Sequence, residues 1–339
     1  MSRPFTRILT TLLTCALPAA AARAETPTTD AQVRTAIQAS LPFLQREGVA
    51  WMNERKCMSC HTVTFMLWSF NLAKSRGIAI DDAKLAEWTQ WSLEQSLAAR
   101  AAGPNKGGVN DGGGLDTLSQ LFLSHATGAG NDDATMSRFL TTTPALMLAW
   151  QKPDGHWQAA GQMPSQDRPK DESDTVTTRW AALALGTIEP LDTPTQDALA
   201  KALQFARNAK PGTTTESLLT RFLIDRRFGK SSDPADLLKR QNPDGGWPWQ
   251  QTGPSDAYSA GQALYALAQS PTKADFQAAI DRARHYLVST QQPDGTWPTT
   301  GQGISNAATP QRKKKVEPIY RYWGTAWATI GLASILPPR

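Results

Sequence analysis

Gln151-Lys-Pro-Asp-Gly-His-Trp157, Gln241-Asn-Pro-Asp-Gly-Gly-Trp247 and Gln291-Gln-Pro-Asp-Gly-Thr-Trp297 are three copies of one turn, Q-x-P-D-G-x-W. Proline fixes φ and glycine tolerates positive φ, so Pro-Asp-Gly stops the amphipathic helix that precedes each copy. A second helix, rich in small residues, follows each turn. Ser173-Asp-Thr-Val-Thr-Thr-Arg-Trp-Ala-Ala-Leu-Ala-Leu185 and Ser255-Asp-Ala-Tyr-Ser-Ala-Gly-Gln-Ala-Leu-Tyr-Ala-Leu267 share a Ser-Asp start and an A-L-x-A-L end at equal offsets. They are one unit written twice.

The same template laid over the chain predicts first helices at about 29–54, 81–101, 133–150, 194–208, 233–241 and 274–291. Second helices are predicted to begin near His61, Asp116, Asp174, Glu216, Asp256 and Tyr322. Strand patterns are almost absent. A repeated hairpin buries its apolar face only against its neighbours, and six of them close into a ring of inner and outer helices. The expected fold class is therefore all-α, an (α/α)6 toroid, with residues 25–339 forming one domain.

On these turns the chain resembles the squalene-hopene cyclases and the related prenyltransferase-type α/α toroids, over roughly residues 29–338. The resemblance implies that the turns are structural clamps, in which Trp157, Trp247 and Trp297 tie outer to inner helices. It also implies an acid-started cyclisation, whose donor is the middle Asp of a D-x-D-D-T motif. The matching stretch here reads Asp171-Glu-Ser-Asp-Thr175. Ser173 occupies the donor's place, and a hydroxyl cannot protonate an alkene.

Residues 1–24 read as a secretory leader. Arg3 and Arg7 precede a short apolar run, and Ala22 and Ala24 form an A-x-A cleavage pattern. Without the leader the formal charge falls from +5 to +2, because Arg3, Arg7 and Arg23 go with it. That balance removes the case for nucleic acid as a partner, and no later stretch has the length of a transmembrane helix. The expected location is outside the cytoplasm, periplasmic or extracellular.

Cys57-Met-Ser-Cys-His61 holds both cysteines that lie beyond the leader. C-x-x-C-H is the attachment sequence of c-type haem: Cys57 and Cys60 add to the vinyl groups and His61 binds iron. A redox pair, a short-loop disulfide and half a zinc site are the competing readings. No βαβ context supports the first, and the count lacks ligands for the last. Met163, in Gly161-Gln-Met-Pro164, is the expected distal iron ligand, with His156 second; His125 and His285 are the remaining histidines.

By the repeat alignment, His61 matches Asp174, and Asp116, Asp174, Glu216 and Asp256 converge on one pole of the ring. Helix capping is the plain account of such acids. A catalytic or cation-holding rim is the functional one. Trp68, Phe70, Trp180, Tyr258, Tyr265, Tyr322, Trp323 and Trp327 fall on inner helices, where they pack a core or line a cavity for a small hydrophobic ligand. Gly107–Gly114 reads as a loop at the mouth. Arg312-Lys-Lys-Lys315 is placed in a long final loop, solvated or docking a redox partner protein.

Taken together, the sequence predicts an exported haem c toroid serving electron transfer or haem-based redox chemistry. The alternatives are a terpenoid cyclase-like isomerase without the usual donor, and a non-catalytic toroid that binds a ligand or partner.

Overall fold

The computed structural model describes residues 27–55, 62–101, 113–127, 134–159, 168–229, 233–299 and 309–338. Outer helices α1 (Asp30–Arg55), α3 (Asp82–Ala101), α5 (Ala134–Trp150), α7 (Thr193–Asn208), α9 (Ala235–Lys239) and α11 (Gln277–Thr290) alternate with inner ones. The inner layer is α2 (Val63–Ser75), α4 (Gly113–Thr127), α6 (Lys170–Leu185), α8 (Thr215–Phe228), α10 (Ala257–Ala268) and α12 (Pro310–Ile335). Each inner helix packs on the next, and α12 packs back on α2, so the six hairpins form the expected α/α toroid around one shared core. Among the described residues the only strands are two-residue segments, Trp247–Pro248 and Ser255–Asp256, paired antiparallel beneath one turn.

The three turns do the same mechanical work. Their indole N–H groups donate ten residues back, from Trp157 to the Met147 carbonyl (2.7 Å), Trp247 to Leu237 (2.8 Å) and Trp297 to Leu287 (2.7 Å). Each glutamine amide donates twice, once to its own turn glycine and once to the next outer helix. Gln151 reaches the Ala198 carbonyl at 2.8 Å and Gln241 that of Ala279 at 2.9 Å. Gln291 reaches Ala36 at 2.8 Å, which fastens the last repeat to the first and closes the ring. Gly155, Gly245 and Gly295 all have positive φ (93°, 89° and 80°). A Cβ at any of them would also run into the backbone of the neighbouring outer helix, so the turn requires glycine twice over.

Two expectations are corrected. Inner helix six begins at Pro310, well before Tyr322, so Lys313, Lys314 and Lys315 are exposed residues of the first turns of α12 and not a loop. Pro310 at the helix start is tolerated because its missing N–H has no partner there, and the helix runs on through Pro318. Outer helix five is shortened to Ala235–Lys239, because Pro234 sits at its N-cap and the Gln241 turn follows at once. No helix among the described residues is long and apolar enough to cross a membrane.

Candidate active site in the inner barrel

All inner helices start at one end of the ring, so an acid in the first turn of each is brought to that end. The four candidate acids nevertheless meet four environments. Asp116 and Glu216 line a narrow cavity of about 30 Å³ inside the inner barrel, together with Phe65, Trp68, Trp180, Tyr258 and Trp327. Asp174 and Asp256 do not.

Asp116, on α4, is 8% exposed, and its Oδ2 has no hydrogen-bond partner. Burial pushes its carboxyl up to about 7; the Arg168 charge opposes the rise, the Glu216 charge adds to it, and a hydrogen bond with Thr177 opposes it again. A carboxylic acid that keeps its proton near neutrality, with one oxygen free in an aromatic cavity, is chemically a proton donor.

Glu216, the first-turn acid of α8, is instead saturated. Its Oε2 accepts from Arg168 Nη1 at 2.9 Å, and its Oε1 from Trp180 Nε1 at 2.9 Å and Gln262 Nε2 at 3.2 Å. The pair is buried, with side-chain exposures of 3% for Arg168 and 4% for Glu216. The Arg168 guanidinium also lies 5.5 Å from the Trp249 ring centre, a cation–π contact. Glu216 thus holds Arg168 and Trp180 in place and has no free lone pair direction for proton transfer.

Asp174 ties its own repeat together: Oδ1 accepts from the Ala159 N–H at 2.7 Å and Oδ2 from Lys170 Nζ at 3.1 Å. Asp256 is the N-cap of α10 and accepts the Ser259 N–H at 2.8 Å. Its second oxygen is buried without a partner, and burial pushes it up to about 6. The D-x-D-D-T-like stretch contributes structure throughout. Glu172 accepts from the N–H and hydroxyl of both Thr213 and Thr214, locking α6 to the start of α8.

Of the inner-helix aromatics, Trp68, Trp180, Tyr258 and Trp327 line the cavity, joined by Phe65. Phe70, Tyr265, Tyr322 and Trp323 are core. Cys57, Cys60, His61 and Met163 lie outside the described residues, as do the leader and Gly107–Asp111. The described histidines stand away from the cavity. His156 bonds Asp154 through Nδ1 at 2.6 Å and stacks on Phe205 of α7. His285 contacts Thr28, and His125 sits in the last turn of α4, at the opposite end from Asp116.

Arg168 and Thr177 escaped the sequence reading. Arg168 lies in irregular chain before Pro169 and has no periodic signature. Thr177 had one: Val176, Thr177 and Trp180 share the cavity-facing stripe of α6, as Asp116, Ser119, Gln120 and Leu123 share that of α4 at i, i+3, i+4, i+7.

No known protein family's profile matches the chain. One curated protein, drimenyl diphosphate synthase from Streptomyces showdoensis, is 46% identical over 61 residues, which is 18% of this chain and 11% of that protein. Among solved structures, a variant of the type II terpene cyclase MstE from Scytonema, in complex with geranylgeranyl dihydroxybenzoate, matches with a TM-score of 0.56 at 15% identity, over 91% of this chain and 98% of that one. A variant of the unsaturated glucuronyl hydrolase from Streptococcus agalactiae matches with a TM-score of 0.59 at 12% identity, over 92% and 93%. At these identities the likeness is one of fold: terpene cyclases and sugar hydrolases both use this toroid, and the chemistry must be argued from the site.

Proposed function

We propose that the inner barrel takes an unsaturated, largely apolar chain and that Asp116 protonates one of its carbon–carbon double bonds, starting a cyclisation of the terpenoid type. The observation that carries this reading is the proton-bearing Asp116 carboxyl, with a free oxygen, in an aromatic-lined cavity. Its O–H bond breaks as a C–H bond forms, leaving a carbocation on the chain and a carboxylate on Asp116. Arg168 supplies the positive charge that stabilises that carboxylate. Trp68, Trp180, Trp327 and Tyr258 line the cavity with π-systems that stabilise a cation. A second double bond of the same chain closes the ring; the ring cation then gives up a proton to solvent water and the Asp116 carboxylate regains one from solvent, which completes a net isomerisation. The partial match to drimenyl diphosphate synthase supports this chemistry over sugar hydrolysis, as does the saturation of Glu216, which leaves no second carboxylate in the cavity to act as base.

The test is incubation with geranylgeranyl-chain substrates in D2O, followed by mass spectrometry. Cyclised isomers carrying one deuterium are expected, and Asp116→Asn should lower their rate by about 10²–10⁴-fold. An equal rate in Asp116→Asn, or no isomer from any polyprenyl chain, would remove the proposal.

A second reading rests on Cys57-Met-Ser-Cys-His61, which joins outer helix α1, ending at Arg55, to inner helix α2, whose Phe65 and Trp68 line the cavity. On this reading the exported protein carries covalent haem c with His61 as its proximal ligand. The haem would supply one-electron chemistry at the mouth of the barrel for a redox partner. Met163 is the first candidate for the distal ligand, and His156, which bonds Asp154 through Nδ1, is the second. A pyridine haemochrome spectrum of denatured, washed protein from a host with cytochrome c maturation decides it. Haem retained through denaturation is expected, and its absence beside a matured control cytochrome makes the cysteines a disulfide or metal site.

A further inference from the structure

The cavity wall has an imbalance that protonation chemistry does not use. Trp68, Trp180 and Trp327 form one cluster, with ring centres 5.2 Å apart for Trp68 and Trp327, 6.4 Å for Trp68 and Trp180, and 5.8 Å for Trp180 and Trp327. Trp180 spends its N–H on Glu216. The indole nitrogens of Trp68 and Trp327 are buried and have no partner, although the two residues are only 1% and 2% exposed. Buried indole N–H groups ordinarily find an acceptor, and leaving two unpaired side by side is costly. Neither indole N–H has found an acceptor in the lining, and Asp116 Oδ2, which also stands without a partner, takes neither of them. Gln120 Oε1 receives the Thr64 hydroxyl, and both oxygens of Glu216 are occupied. The wall therefore presents donors to whatever fills the space.

We infer that the occupant is not a pure hydrocarbon but an isoprenoid bearing a carbonyl oxygen, which accepts from the Trp68 and Trp327 indole N–H groups. The inference rests on the reading of the cavity as the ligand site, and it adds a polar specificity that a purely aromatic lining would lack. A site built to hydrogen-bond an oxygen discriminates strongly against the analogue without it, because the donors are then left buried and unpaired.

The test uses the full-length protein and two probes: geranylacetone, and the hydrocarbon of the same skeleton in which CH2 replaces the carbonyl. Equilibrium dialysis gives the ratio of their affinities. The wild type is expected to prefer the ketone by tenfold or more, and Trp68→Phe or Trp327→Phe to cut that preference by about five- to tenfold each. Phenylalanine shrinks the wall for both probes alike, so the ratio isolates the N–H group. Should a variant fail to fold, 15N-indole spectra of the wild type give a second readout, in which two indole resonances move on adding ketone and stay on adding hydrocarbon. Equal binding of both probes, or indole signals unmoved by the ketone, overturns the inference in favour of N–H contacts to neighbouring ring faces and leaves the cavity reading standing. Failure of both probes to bind overturns the cavity reading itself, and the inference with it.

Discussion

Asp116 and Asp174 hold equivalent places in successive repeats, each near the start of an inner helix at the same end of the ring, yet they are different chemical objects. Asp174 has both oxygens satisfied, by a backbone N–H and an exposed lysine. Asp116 has one oxygen free, no cationic partner in direct contact, and a wall of indoles around it. Repetition therefore delivers carboxylates to one pole, and what packs around each decides what it does. An acid with donors becomes a fastener. Asp116, pushed up to about 7 by burial and with Oδ2 unpartnered, becomes a reagent.

The largest expected effect follows from that difference. Asp116 titrates near 7 in the folded chain and near 3.8 when unfolded. Its folded value is raised, so its stabilising contribution is complete below about pH 4 and is lost as pH rises through 7. At 1.36 kcal/mol per unit the displacement is of order 4 kcal/mol, an upper figure for a group in contact with a cavity. Asp256, pushed up to about 6, adds a slope of the same sign that ends sooner. Denaturant melts between pH 6 and 8 should thus show falling stability in the wild type and in Asp174→Asn, and a flatter profile in Asp116→Asn. Equal slopes in all three would erase the distinction between the two acids.

Removing the cation that Asp116 lacks and Glu216 owns should come next. Arg168→Met leaves Glu216 buried with only the neutral donors of Trp180, Gln262 and Tyr258. Breaking a buried pair from one side costs about 3–5 kcal/mol, and those donors hold the loss near the lower end. The same change removes the charge that draws Asp116 downward, so its titration should move further up, visible by 13C-carboxyl NMR. Unchanged stability and an unmoved Asp116 would mean that Arg168 acts on neither acid.

Much of this was legible in the sequence, and the reason is physical. The turn glycines and their flanking Gln and Trp act through backbone geometry fixed within a few residues, so Q-x-P-D-G-x-W announces a clamp, although that Gln291 closes the ring on α1 is seen only in the structure. The pole of acids was equally readable, because helix starts are periodic. What periodicity cannot show is which donor arrives from elsewhere. Arg168 comes from irregular chain to reach Glu216, and Ala159 from a turn to reach Asp174; both contacts depend on the closed ring. For that reason family likeness drew attention to Asp171–Thr175, whereas the open carboxyl lies one repeat earlier, on α4.

The smallest effect tests the fastener. Lys170 is 76% exposed and meets Asp174 at 3.1 Å, so solvent screens the pair on one side and lysine surrenders side-chain entropy to make it. Lys170→Ala should cost less than about 0.5 kcal/mol and nothing measurable in molar salt. Asp174→Ala should cost about 1 kcal/mol or more at any salt, because it strands the Ala159 N–H. Thermal melts of the two variants at low and high salt separate the roles. If Lys170→Ala equalled Asp174→Ala, charge pairing would be what holds Asp174. The salt-independent gap expected between them instead identifies the Ala159 N–H as the contact through which Asp174 fastens its repeat, a contact for which Asp116 Oδ2 has no counterpart.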